Sequence, residues 1–150
     1  MSVSHGSFTI ARDYPAPVET VFKAWADKDA KARWFSAPHD VATEEIREQN
    51  FEVGGRDRLR AKWAGGRISD FQCQYRDIVQ NARIVYVYDM FVDEAKISVS
   101  LATVTFKKTD KGTHLVVTEQ GVFLDGYDDA GAREHGTGLL LDALGRALAS

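Results

Sequence analysis

Arg133 is the residue of this chain best placed to do chemistry on a small molecule. Taking Leu140 as the inward reference of a helix that turns about 100° per residue, Arg133 falls about 20° from the same meridian. Gly136 and Thr137 lie on that face as well, and neither is large enough to fill the space that leucines fill further along. A hollow is therefore expected beside Arg133, unless strand side chains such as Trp63, Tyr86 or Phe123 close it, because interiors are close-packed. A guanidinium in a hollow would clamp a carboxylate or phenolate. The plainer expectation is an ion pair with Glu119 or Asp125 that ties helix to sheet. Glu119 and Glu134 form a candidate carboxylate pair, whose acid–base use would require a pKa raised by burial.

A pocket for a small molecule needs apolar walls with a few polar groups that orient the guest. Trp34, Phe35, Trp63, Phe71 and Tyr75 are candidate walls, as are Tyr86, Tyr88, Met90 and Phe123. Period-two alternation puts Phe71 and Tyr75 on one face together with Cys73, and puts Tyr86, Tyr88 and Met90 on one face of the next strand. Which face meets the helix depends on register. The candidate binding set is these nine residues with Glu119, Arg133, Gly136, Thr137 and Leu140. No residue is assigned a catalytic role from the sequence.

Other chemistries find no support. The four histidines are dispersed, the single Cys73 has no neighbour at zinc-ligand spacing, and no metal site is expected. Gly-x-Gly-x-x-Gly, Walker and Gly-x-Ser-x-Gly patterns do not occur, so no cofactor is expected. Net charge is −3 with basic and acidic residues interspersed, which leaves no electrostatic footprint for nucleic acid. The polar start, Met1 to Ser7, lacks the apolar core of a leader, and no run approaches the ~20 apolar residues of a membrane span. These features point to a cytoplasmic protein that engages neither nucleic acid nor membrane.

The elements that must position these residues follow from periodicity. Asp128 to Ala149 is expected as one long amphipathic helix, with Leu139, Leu140, Leu141, Ala143, Leu144, Ala147 and Leu148 within roughly 100° of its inward face. Leu141 and Leu148 flank that face and offer a modest contact for a homodimer. Phe8 to Tyr14 alternates as a strand and stops at Pro15. Pro17 then opens a short helix carrying Val18, Val21, Phe22 and Trp25, closed by Asp27, and Asp29 to Phe35 adds a helical turn or two. Six strands follow: Val41–Glu48, Arg56–Trp63, Arg67–Val79, Ile84–Phe91, Ile97–Lys107 and Thr113–Leu124, separated by turn signals such as Gly65-Gly66, Asn81 and Asp93-Glu94. The fold class is α+β, ordered β-α-α-β6-α, with about seven antiparallel strands curved around the final helix. One domain spans 1–150, its ordered core at about 8–148.

A curled antiparallel sheet gripping one helix is the helix-grip arrangement, and local motifs extend the likeness. Pro15-Ala16-Pro17-Val18 with Val21-Phe22-Lys23-Ala24-Trp25, then Arg33-Trp34-Phe35, Phe51-Glu52-Val53-Gly54-Gly55, Thr118-Glu119-Gln120-Gly121 and Arg133-Glu134-His135-Gly136 occur in this order. From about Phe8 to Leu148 the chain resembles the START-like (SRPBCC) superfamily. Within it, the chain is similar to homologues of the activator of the heat-shock chaperone 90 ATPase. In that branch a tryptophan commonly follows the helix glycine, where this chain has Thr137, a change that enlarges the hollow or makes its wall more polar.

The resemblance implies a small-molecule binding protein that holds an apolar or aromatic guest between sheet and C-terminal helix. It also implies an alternative, a polyketide cyclase or dehydratase-like enzyme using the same cavity with Tyr75, Arg133 and Glu119, although binding without catalysis is the leading expectation. A third reading is an interaction module that stimulates a chaperone ATPase. Such activators act within longer chains, and no additional chaperone-binding domain is expected here.

Overall fold

A computed structural model describes residues 1–150. Ten elements follow one another: β1 (Val3–Tyr14), α1 (Val18–Ala26), α2 (Lys28–Ala32), β2 (Ala42–Gln49), β3 (Arg56–Trp63), β4 (Ile68–Val79), β5 (Arg83–Val92), β6 (Ala95–Thr109), β7 (Gly112–Leu124) and α3 (Ala130–Leu148). All seven strands form a single antiparallel sheet of order β1-β7-β6-β5-β4-β3-β2. Strands β2 to β7 are a meander, as short connections require, and β1 closes the edge beside β7. The expected α+β helix-grip fold is the observed one.

Local chemistry explains the punctuation. Asn81, Asp93 and Glu94 carry positive φ at hairpin corners, the backbone state that tight turns favour in Asn and Asp. Asp27 is extended between α1 and α2, and its side chain accepts from Ala30 N at 2.9 Å, capping α2. Asp129 caps α3 in the same way, accepting from Ala132 N at 2.8 Å.

The first strand starts at Val3 rather than Phe8. Residues 3–7 lack an apolar alternation, but they pair in register with Gln120 to Leu124 of β7, a long-range ladder that local pattern does not encode. Gly6 is required there: a Cβ on it would lie 2.5 Å from the Cβ of Ala130 at the start of α3.

The orientation of α3 differs from the expected one. Leu141 and Leu144 are fully buried whereas Leu139 is 55% exposed, so the true inward meridian lies roughly 70° from Leu140 toward Leu141. Leu139 thereby turns away from the sheet and is not a core residue. Leu141 is buried too deeply to meet a second copy, and its carbonyl accepts from the Tyr14 hydroxyl at 2.7 Å. Leu148 is half-buried against the core. Thr137 gains most from the rotation, since it now sits almost on the inward meridian.

Candidate ligand cavity

A cavity of about 290 Å³ lies between the N-terminal half of α3, the α1–α2 corner and the concave face of the sheet. Strand alternation supplies one wall: Phe71 of β4 and Tyr86, Tyr88 and Met90 of β5 point inward together. Trp25 of α1 and Trp34-Phe35 after α2 supply the opposite wall. The rings touch in sequence, Trp25 to Trp34 at 4.7 Å, Trp34 to Phe35 at 5.7 Å, Phe35 to Phe71 at 5.0 Å and Phe71 to Tyr88 at 4.9 Å between centroids. Such tilted and edge-on contacts hold aromatic walls rigid. The roof is the helix face carrying Arg133, Gly136, Thr137 and Leu140, where a Cβ added to Gly136 would meet no atom within 4 Å.

One end of the cavity is polar. Arg133 donates from Nη1 to the Tyr88 hydroxyl at 2.9 Å and from Nη2 to Ser98 Oγ at 2.8 Å and Asp128 Oδ2 at 2.9 Å. Its guanidinium also lies over the Tyr88 and Phe123 rings, at 5.6 and 5.4 Å from their centroids. Tyr88 passes the contact on, donating its hydroxyl proton to Glu119 Oε1 at 2.5 Å. Glu119 is 4% exposed. Burial raises its pKa above the ordinary carboxylate value, against the opposing pull of the Tyr88 hydrogen bond and the Arg133 charge. Tyr88 is pushed up by burial and by the neighbouring Glu119 charge, so it stays protonated.

Strand β6 makes this relay sterically feasible. Tyr86 pairs with Ala102, which pairs with Glu119, and Tyr88 pairs with Ser100. The tyrosine on β5 thus reaches a carboxylate on β7 by crossing small, buried residues, a span of roughly 10 Å for two strand spacings.

A second buried group lies near the Phe35 wall. Lys31 Nζ pairs with Asp57 Oδ2 at 3.0 Å, with both side chains 6% exposed. The Tyr75 hydroxyl donates to the same oxygen, and Lys31 Nζ sits 4.9 Å from the centre of the Phe35 ring. The pair fastens α2, and hence Trp34-Phe35, to β3 and β4. Cys73 is buried on the same sheet face, and burial pushes its thiol up to about 12, which keeps it inert.

The sequence candidates divide accordingly. Trp34, Phe35, Phe71, Tyr86, Tyr88, Met90, Glu119, Arg133, Gly136, Thr137 and Leu140 line the cavity. Trp63 does not: its indole donates to Ser69 Oγ at 2.9 Å at the β3–β4 hairpin, under the Arg67 guanidinium. Tyr75 belongs to the Lys31–Asp57 group, and Phe123 lies beneath Arg133. The partner of Arg133 is Asp128, not Glu119 or Asp125; Asp125 instead accepts from the Ser2 amide at 3.1 Å. Glu134 is exposed while Glu119 is buried, so they form no pair; one residue beyond Arg133, Glu134 is carried about 100° around the helix.

Trp25, Asp128 and Lys31 went unrecognised. Trp25 was legible as a helix face residue but not as a cavity wall, and a lysine in a five-residue helix gives no sign of burial. No group of three or more His, Cys, Asp or Glu could hold a metal ion, and no helix is long and apolar enough to cross a membrane. On the convex face, His5, Val87, Leu101 and Val122 line a wider depression of about 540 Å³, with no helix covering it.

Comparison with known proteins places this geometry in context. The family described as activator of Hsp90 ATPase homolog 1-like protein matches residues 15–149. An uncharacterised protein from Rhizobium leguminosarum is 41% identical with a TM-score of 0.93, over 98% of this chain and 96% of that one. The Mll3558 protein from Rhizobium loti is 39% identical with a TM-score of 0.90, over 98% and 99%. The AHSA1-like protein from Aeromonas hydrophila, 21% identical, shares the fold at a TM-score of 0.71 over 95% and 92%. No curated protein matches.

Proposed function

The chain belongs to the activator of Hsp90 ATPase homolog 1-like family, a branch of the START-like superfamily, and from that premise we propose that it holds a small apolar or aromatic molecule between sheet and α3. The observation that carries this reading is the cavity itself, walled by aromatic rings and entered by only a few convergent polar groups. Its ~290 Å³ suits a guest of one or two fused rings rather than a sterol.

Glu119 favours a second reading, acid–base catalysis in the same space. Its buried carboxyl has a raised pKa and contacts a tyrosine that Arg133 polarises, which is the environment a general acid or base requires. Glu119 would exchange the proton, and Arg133 with Tyr88 would stabilise a developing oxyanion. Tyr75 has no place in this scheme.

Native mass spectrometry of protein purified from its host tests the receptor reading. A co-purifying small molecule is expected, and it is lost from Thr137→Trp, whose indole fills the cavity from the inward meridian of α3. Wild-type protein that carries no guest and takes up no aromatic hydrocarbon in dialysis contradicts it.

A further inference from the structure

The polar end of the cavity contains more acceptors than the protein uses. Glu119 Oε1 is occupied by Tyr88, but Oε2 has no partner in the protein, and neither has the Tyr86 hydroxyl. Only Trp25 Nε1 and Asp57 Oδ1 are sealed from all open space without a partner. Oε2 and the Tyr86 hydroxyl therefore each keep some accessible surface although their residues are buried, and the cavity is the volume that both residues line. They flank Ala102 in one row across β5, β6 and β7, and both line the same cavity.

Charge decides what that group is. Arg133 is the one cation lining the cavity, and Asp128 already neutralises it at 2.9 Å, the two side chains being 10% and 18% exposed. Three of its five N–H donors are engaged, both of Nη2 on Asp128 and Ser98 and one of Nη1 on Tyr88. Glu119 adds a second carboxyl group. A carboxylate guest would bring one more negative charge into a poorly solvated space already balanced or in deficit, a costly step. A hydroxyl guest instead donates to Oε2 and accepts from Tyr86, satisfying both open groups.

We propose that the cavity selects neutral guests bearing a hydroxyl, such as phenols, enols or alcohols on an apolar ring, and rejects carboxylates of the same shape. This rests on the receptor reading above. Arg133 acts here as a positioning residue for Tyr88 and Glu119, not as a clamp for an anion.

Equilibrium dialysis at pH 7 with naphthalene, 2-naphthol and 2-naphthoate separates the claims. Wild-type protein is expected to bind 2-naphthol about 10-fold to 100-fold more tightly than 2-naphthoate, the range that a hydrogen bond to a charged group commands. Naphthalene should lie below 2-naphthol. In Glu119→Gln the preference for naphthol over naphthoate should fall to within about threefold, and in Tyr86→Phe naphthol should lose its advantage over naphthalene. Both variants should keep a cooperative melt. Naphthoate binding as tightly as naphthol, or an unchanged preference in Glu119→Gln, overturns the selectivity alone. Failure of all three probes to bind, naphthalene included, overturns the receptor reading and the selectivity together.

Discussion

Tyr88 of β5 and Glu119 of β7 meet at 2.5 Å across the intervening strand. They meet because β6 presents only Ser100 and Ala102 beneath them, 3% and 0% exposed. The relay from Arg133 through Tyr88 to Glu119 therefore depends on what β6 lacks as much as on the residues that form it.

Ala102→Val should break that crossing. Two added methyl groups in a position with no free space cost about 1–3 kcal/mol through overpacking, measured as a lowered midpoint of urea unfolding with unchanged slope. The same variant should bind 2-naphthol less well than wild type does. Unchanged stability would mean that the row is looser than the packing described here.

Glu119 predicts an unusual pH dependence. Its pKa in the folded protein is raised by burial, so between the ordinary carboxylate value and the raised one the folded state binds more protons than the unfolded state. Stability from this group is full at pH below its unfolded pKa and is lost as pH rises through the folded one. Glu119→Gln should therefore melt at a higher temperature than wild type at pH 7, with the difference shrinking toward pH 4. Calorimetry at both pH values checks this; a variant that is less stable at pH 7 contradicts the sign.

Lys31 and Asp57 give the largest expected loss. Asp57→Ala leaves the Lys31 ammonium buried without a counter-charge, with only the Tyr75 hydroxyl at 3.4 Å to accept from it, at a cost of about 3–5 kcal/mol, whereas replacing both with apolar residues (Lys31→Met with Asp57→Leu) should restore most of it. Denaturant unfolding of the three proteins distinguishes the pair from an ordinary surface bridge, for which the loss would stay below about 1 kcal/mol.

Gly136→Ala should stabilise the protein by about 0.5–1 kcal/mol. The residue is within α3, its added Cβ meets nothing within 4 Å, and alanine lowers the backbone entropy of the unfolded chain. A thermal melt reads the gain directly.

The sequence made the fold legible because its signals are periodic and local. Proline breaks, turn pairs and alternating strands placed every element within a few residues, and alternation alone put Tyr86 and Tyr88 on one face with Met90. What escaped was set by tertiary context. The pairing of residues 3–7 with β7 has no local pattern behind it, and the rotation of α3 that exposes Leu139 and turns Thr137 inward depends on packing against β1 and the sheet. Trp63 and Tyr75 are aromatic strand residues that composition offers as walls, yet they lie at the β3–β4 hairpin and beside Lys31, away from the cavity, because parity groups residues by face without saying where along that face the hollow lies. Arg133 lines the cavity, but its ion pair is with Asp128, which lies in the connection before α3 and not within the helix expected to begin there.

Two-dimensional NMR during titration with 2-naphthol tests the central claim most directly. The account predicts shifts concentrated on the indoles of Trp25 and Trp34 and on the amides of residues 132–141, with the convex face silent. Shifts centred instead on His5, Val87, Leu101 and Val122, or none at saturating probe, would contradict it.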